Sequence, residues 1–314
     1  MMNISFQTVI LFILHIILPL YLLSWLSFSK SLSLIFKISI IALISVYLLF
    51  LARAGTWQVF GLFWNYLYLG LFIIAICFVA YNWNKIDLLP KNTLQVWTNL
   101  GSVIIVFLVL LFWRIPQIYN ARSFPEPAIE LKFPLRNGQF LITQGGATHA
   151  LNQHYSNSAQ KFALDIVKID PFGFRANSFL PSKLEQYYIF KHSLYAPCSG
   201  EVLAIKNDVQ DQIPPATDLD NIAGNYVLLL CKEHSILLAH MHPGSVTVLP
   251  GQKLDTNRLI GHVGNSGNTT EPHLHIHAVK GRVSSVEEVI QSAEAVPMLF
   301  AEKFLIRNDR LTFN

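Results

Sequence analysis

Apolar positions fall into two regimes along the chain. Over residues 8–28, 33–52, 58–81 and 94–113 they form four near-continuous runs. Each run reaches the roughly 20 residues that a helix needs to cross a hydrocarbon core about 30 Å thick. Trp25, Trp57, Trp83, Trp97 and Trp113 stand near the ends of these runs, where indole rings favour a membrane interface. No basic residue precedes the first run and no small-residue cleavage site follows it, so it reads as a retained span rather than a signal peptide. From about residue 130 the pattern changes to short apolar runs separated by turn residues: Phe140–Thr143, Ala163–Val167, Glu201–Ile205, Tyr226–Cys231, Ser235–His240, Leu259–Val263 and His273–Ala278. Short strands at this spacing predict a mostly-β domain, with a helix expected only around Ser284–Ala293. The expected organisation is a membrane region of four transmembrane helices over residues 1–120, a proline-stiffened linker over 121–136 and a mostly-β C-terminal domain over 137–314.

Composition supports this division. Hydrophobic residues make up 52% of the 314 positions and charged residues only 13%, against about a quarter charged in an ordinary globular domain. The net charge of +4 is small, and no basic stripe of the kind that reads nucleic acid is present. Lys30 and Lys37 flank the first loop between spans and Lys85 and Lys91 lie in the third, whereas the second holds only Arg53. Positive-inside bias therefore places loops one and three in the cytoplasm and both termini outside, although Arg114 and Arg122 pull the other way. That makes the chain an integral protein of the cell (inner) membrane, with the C-terminal domain on the extracytoplasmic side. The spans contain His15, Asn65 and Lys37 but no carboxylate. Lys37 is expected to snorkel to the cytoplasmic face. A transport pathway generally needs more polar groups than this, so the helices read as an anchor in the lipid bilayer. Cys77 lies in an apolar run. Cys198 and Cys231 could pair in an oxidising compartment, two separate buried thiols being the simpler reading.

Ten of the eleven histidines follow residue 148. The densest group is Pro272-His-Leu-His-Ile-His277. On a strand, side chains alternate faces, which puts His273, His275 and His277 on one face at ~6.6 Å intervals. Gly261-His-Val-Gly-Asn-Ser-Gly-Asn-Thr-Thr-Glu271 precedes them, a glycine-rich turn that can bring backbone close to a site. Imidazoles so placed, with carboxylates elsewhere and no thiolate cluster, point to a zinc ion.

The stretch Ser235-Ile-Leu-Leu-Ala-His-Met-His-Pro-Gly-Ser, continuing through Leu259-Ile-Gly-His-Val-Gly-Asn-Ser-Gly to Pro272-His-Leu-His, resembles the lysostaphin-type zinc endopeptidases. Upstream, Tyr195-Ala-Pro-Cys-Ser-Gly-Glu-Val and Gly224-Asn-Tyr-Val fit the same family, and the resemblance spans roughly residues 137–280. It implies antiparallel sheets forming a groove with zinc on its floor, peptidoglycan cross-links or another envelope peptide as substrate, His275 and Asp165 as ligands, and His240 and His273 as the catalytic histidines. The family's remaining ligand stands four residues before the aspartate, a position held here by Lys161. His154, in Asn152-Gln-His-Tyr, is taken as the displaced ligand, with His149 as the alternative. His242 is expected at the groove rim and His277 as a structural or supporting residue. His192, His234 and His262 are expected in solvent. Residues 209–223 read equally as a groove cover or a surface loop. The segment after residue 281, ending Phe304-Leu-Ile-Arg-Asn, is expected to add a last edge strand.

Three functions are compatible with these features. The leading one is a zinc metalloendopeptidase of the cell envelope. The second is a non-catalytic envelope module that binds cell wall or activates another hydrolase. The third is a transporter carrying a lytic domain. Which of His240 and His273 acts as base, the bond cleaved and the oligomeric state are not legible in the sequence.

Overall fold

The computed structural model describes residues 6–29, 32–88, 101, 104–106 and 108–313. The chain divides into two compact units, residues 1–56 with 62–119, and residues 57–61 with 120–314.

In the first unit three helices are long and apolar enough to cross a membrane: α1 (Val9–Phe28), α2 (Leu34–Ala54) and α3 (Phe63–Tyr81). Most of the fourth expected span, 94–113, lies outside the described residues. Helix α1 widens into a π turn over Ile13–Ile17, and Pro19 follows at its C-terminal side. Proline has no N–H to give to the carbonyl four residues earlier. That carbonyl belongs to His15, and the Tyr68 hydroxyl donates to it instead, while the Tyr47 hydroxyl donates to Leu14 O. The His15 ring is held as well: Nδ1 donates to Leu11 O at 3.0 Å and Nε2 accepts from Thr56 N at 3.0 Å. His15 therefore serves the packing of the bundle. Lys37 also finds its partner among these helices. It is buried, and its ammonium donates to Leu26 O at 2.8 Å, one of the last-turn carbonyls of α1 that have no partner within the helix.

Among the described residues the second unit has, in chain order, the strands β1 (Ile129–Leu131), β2 (Gly138–Gln144), β3 (Leu164–Ile169), β4 (Ser193–Tyr195), β5 (Gly200–Lys206), β6 (Asn225–Cys231), β7 (His234–Met241), β8 (Lys253–Leu254), β9 (Leu259–His262), β10 (Leu274–Lys280), β11 (Ala295–Val296), β12 (Met298–Phe300), β13 (Lys303–Phe304) and β14 (Arg310–Phe313). The main sheet runs β14-β2-β3-β10-β7-β6-β5-β8, and β11 pairs with the end of β10. Its strands are antiparallel throughout. A three-stranded sheet (β1-β12-β13) and the β4-β9 pair accompany it. The segment expected to add an edge strand holds β11, β12 and β13, and the edge strand beside β2 is β14, just beyond it.

One face of the main sheet forms the principal core through Phe140, Ile142, Leu164, Ile166, Leu274, Ile276, Leu238 and Val227. The opposite face of the central strands is covered at one end by helix α4 (Val286–Gln291), which packs Val289 and Ile290 on Leu228, Leu237 and Val279. Burial on both faces is why Tyr226–Cys231 and Ser235–Ala239 read as unbroken apolar runs rather than as alternation. Cys198 and Cys231 form a disulfide with a Cα–Cα distance of 5.9 Å, so the separate-thiol reading does not hold. Glu201 faces Leu230 in the β5–β6 ladder, which carries the segment ahead of β5 to the end of β6. His234 is buried at the start of β7 and the half-buried His192 bonds through Nε2 to Arg136 O at 2.6 Å, so neither is in solvent as expected.

Candidate metal centre

Strands β3 and β10 are neighbours, and their register sets Asp165 directly opposite His275. Leu164 and Ile166, Leu274 and Ile276 turn into the core, so alternation sends Asp165 and His275 out on the other face. Paired residues on one face have Cβ atoms only about 5 Å apart, and here His275 Nδ1 lies 2.9 Å from Asp165 Oδ1. The third member comes from a loop. His154 sits on a 3-10 turn (Gln153–Ser156), and its Nε2 lies 2.9 Å from Asp165 Oδ2.

That turn is built by Asn152, which is fully buried. Its side-chain oxygen accepts from His154 N at 3.0 Å, an N-terminal cap. Its amide nitrogen donates to Gly146 O, Lys161 O and Ala163 O at 3.0, 3.2 and 3.2 Å. Gln144 Oε1 accepts from Gln153 N at 3.1 Å and from Arg307 Nη2 at 2.5 Å. The ligating atoms of His154, Asp165 and His275 all lie within 4.8 Å of one another. A tetrahedral ion with bonds of about 2.0–2.1 Å sets its ligand atoms roughly 3.4 Å apart, so a group of two imidazoles and one carboxylate fits a divalent metal with small adjustment. His149 lies aside, its Nδ1 3.2 Å from Ser156 Oγ and its ring against Tyr155.

Electrostatics bind the group together. Burial alone would raise the Asp165 carboxyl, but the charge and hydrogen bond of His154 and the charge of His273 hold it well below the usual carboxylate range. Burial works against a charge on His154 too, yet the neighbouring Asp165 charge and hydrogen bond raise its pKa above the ordinary value. The sites for a metal cation and for a proton therefore coincide.

His240 and His273 flank the group, with ring centroids 4.9 Å apart. A β-bulge opposite Tyr226 delivers His240: the register jumps from Val227–Leu238 to Asn225–Met241, and His240 takes φ +61°. A left-handed backbone at a non-glycine residue costs about 1–3 kcal/mol, and here it turns the ring toward His275, 5.8 Å away between centroids. The same twist breaks the alternation that would put His242 on the His240 face. His242 instead pairs with Asp211 Oδ2 at 2.5 Å. His240 Nδ1 donates to Ser266 O at 2.9 Å and His273 Nδ1 donates to Glu271 O at 2.9 Å. Each ring therefore presents Nε2 to the site, and that of His273 is 3.6 Å from Asp165 Oδ1. Burial, reinforced by His273 and His275, pushes His240 well below the usual imidazole range, so it stays neutral.

The glycine-rich turn acts by close approach. A Cβ on Gly264 would meet Asp211 Oδ1 and the His242 backbone at 2.5 Å, and one on Gly224 would meet Ser266 O at 2.2 Å. The polar loop also takes part: Asp211 Oδ1 accepts from Asn265 N at 2.6 Å, and Asp211 bridges to Ser266. The loop thus braces the turn whose carbonyl orients His240. Arg175 Nε donates to Glu271 Oε2 at 2.6 Å, holding the residue that orients His273. Sequence reasoning missed Asn152, Gln144, Asp211, Arg175 and Arg307. Asn152 alone carried a signal, as an Asx residue two positions before a candidate ligand.

Residues 190–286 match the model described as Peptidase family M23. That stretch of the chain is similar to the M23 peptidases. The match takes in His240, His273 and His275, while His154 and Asp165 lie upstream of it. Over 91 residues the chain is 33% identical to peptidoglycan DD-endopeptidase ShyA of Vibrio cholerae, covering 28% of this chain and 21% of that protein. The chain thus spans about a fifth of that relative's length. A zinc-containing peptidase structure from Vibrio cholerae is 18% identical, covering 49% of this chain and 37% of its own, with a TM-score of 0.29. The catalytic domain of lysostaphin from Staphylococcus simulans is 17% identical, covering 36% and 81%, with a TM-score of 0.24. The M23 match and the DD-endopeptidase relative together support a peptidase.

Proposed function

We propose that the chain is a zinc endopeptidase that hydrolyses peptide cross-links of peptidoglycan. In this reading its apolar helices hold it in the cytoplasmic membrane, with the M23 domain on the extracytoplasmic side. The observation that carries the proposal is the convergence of His154, Asp165 and His275 within 4.8 Å, beside two imidazoles whose Nε2 atoms are available. Support for the substrate comes from the name of the relative, a peptidoglycan DD-endopeptidase. Support for the location comes from the basic residues of the loops and from the Cys198–Cys231 disulfide, a bond that persists in oxidising compartments.

His154 Nε2, one or both Asp165 oxygens and His275 Nδ1 would hold the ion. Zinc in such a site lowers the pKa of a bound water to about 7 and polarises the scissile carbonyl. His240, kept neutral by burial, takes a proton at Nε2 because its Nδ1 already donates to Ser266 O. His273 can donate from Nε2 only when it carries two protons, since Nδ1 donates to Glu271 O. In that form it stabilises the developing oxyanion or gives its proton to the leaving amine.

The test is digestion of purified peptidoglycan by the full-length chain in detergent with zinc, with released fragments identified by mass spectrometry. Cleaved cross-links are expected with the unmutated chain and absent with His240→Ala. Fragments appearing only when a second hydrolase is added would favour the non-catalytic module.

A further inference from the structure

His277 is fully buried, its pair of ring nitrogens is engaged, and the proposed reaction does not use it. Its Nδ1 lies 2.9 Å from His275 Nε2, and its Nε2 lies 2.9 Å from Val289 O. Val289 belongs to the last turn of α4. Carbonyls there have no donor within their own helix, and the two backbone N–H groups that close this turn, those of Ser292 and Ala293, both go to Glu288 O. The next carbonyl, Ile290 O, accepts from Asn157 Nδ2 at 3.1 Å and Gln160 Nε2 at 2.9 Å, two residues of the loop that carries His154.

A carbonyl oxygen can only accept, so the His277 proton is on Nε2. The neutral ring then has a lone pair at Nδ1, which makes His275 Nε2 the donor between the two rings. A neutral His275 that donates from Nε2 leaves its Nδ1 lone pair free, and Nδ1 is the atom 2.9 Å from Asp165 Oδ1. The orphan carbonyl of a six-residue helix thereby decides, through one intervening imidazole, which nitrogen of His275 faces the ligand group.

We propose that His277 and the α4 terminus form a positioning relay that fixes His275 as a metal ligand through Nδ1. This rests on the metal-site reading above and adds the residue that sets the ligand's tautomer and ring angle. The end of α4 also tethers the His154 loop through Ile290 O, so one helix end steadies ligands from two separate parts of the chain. Outer partners of this kind are worth about ten- to a hundredfold in metal affinity.

The experiment measures zinc(II) affinity of the full-length chain in detergent by competition with a chromophoric chelator, with thermal unfolding in excess EDTA as a check on folding. His277→Ala is expected to weaken zinc binding by about ten- to a hundredfold. His277→Asn, whose side-chain oxygen can accept near the Nδ1 position, is expected to recover most of that loss. A merely space-filling role would give no such recovery. In parallel, nitrogen-15 histidine NMR of the unmutated chain is expected to find His277 protonated on Nε2 and bare on Nδ1, a readout that stands if the alanine variant fails to fold. Unchanged zinc affinity in a folded His277→Ala chain, or a His277 proton on Nδ1, overturns the relay alone. Absence of zinc binding in the unmutated chain overturns the metal-site reading and the relay with it.

Discussion

Replacing Asn152 by alanine tests how this chain compensates for carrying Lys161 where the peptidases it resembles have a histidine. The fully buried side chain makes four hydrogen bonds, three as donor to Gly146 O, Lys161 O and Ala163 O and one as acceptor from His154 N. Each buried backbone group left without its partner costs about 1–3 kcal/mol. Water admitted to the emptied space offsets part of this, and loss of the cap alone costs ~1 kcal/mol. The sum works out at about 3 kcal/mol, which in a domain of this size lowers the unfolding midpoint by roughly 6–12 °C. Zinc affinity should fall as well, by about five- to tenfold, since ~1 kcal/mol of the loop's order must be restored on binding. The assay is thermal unfolding of the full-length chain in detergent with excess EDTA, followed by chelator competition for zinc. Asn152→Asp keeps the cap acceptor but sets a charge against three carbonyls, and should be at least as damaging. An Asn152→Ala chain with an unchanged midpoint and unchanged zinc affinity would refute the argument that Asn152 builds the displaced ligand.

His240→Ala should retain zinc while losing about 10²–10⁴-fold in kcat, the usual contribution of a positioned proton acceptor; loss of zinc from this variant would show His240 to be a ligand. Because the pKa of His154 is raised above its ordinary 6.5, a proton competes with the metal there. Zinc affinity should drop about tenfold per pH unit below that raised value and level off above it, as checked by chelator competition across a pH series; a flat profile contradicts the shared site. The Cys198–Cys231 bond, with a sequence separation of 33, should stabilise the domain by about 3–4 kcal/mol on the loop-closure model. Denaturant unfolding of the Cys198→Ala, Cys231→Ala double variant checks the energy. Maleimide labelling of both thiols in intact cells without reductant would contradict an extracytoplasmic domain.

Much of the scaffold is legible because side chains alternate faces along a regular strand, even where burial on both faces hides the alternation of polarity. The spacing puts His273, His275 and His277 on one face, and Leu274 and Ile276 occupy the other, which is the core face. Asp165 came from the family resemblance; spacing could not have found it, since its partnership with His275 depends on which strands are neighbours. Alternation failed where the backbone departs from regularity. At His240, φ +61° separates it from His242, which a simple strand would have put beside it. Long-range partners were equally invisible. Asp211 bracing Asn265 and Arg175 holding Glu271 join residues 54 and 96 positions apart, with no local pattern to announce them. The disulfide is hidden for the same reason: Cys198, in the bend before β5, meets Cys231 at the end of β6 only through the strand order.

The central claim is that one divalent ion is shared by His154, Asp165 and His275. Metal analysis of the purified full-length chain by plasma mass spectrometry tests it most directly. One zinc per chain is expected, lost in each of His154→Ala, Asp165→Ala and His275→Ala and kept in His149→Ala. A chain that carries no zinc after purification with the metal supplied, or one that keeps it without His154, would contradict the account.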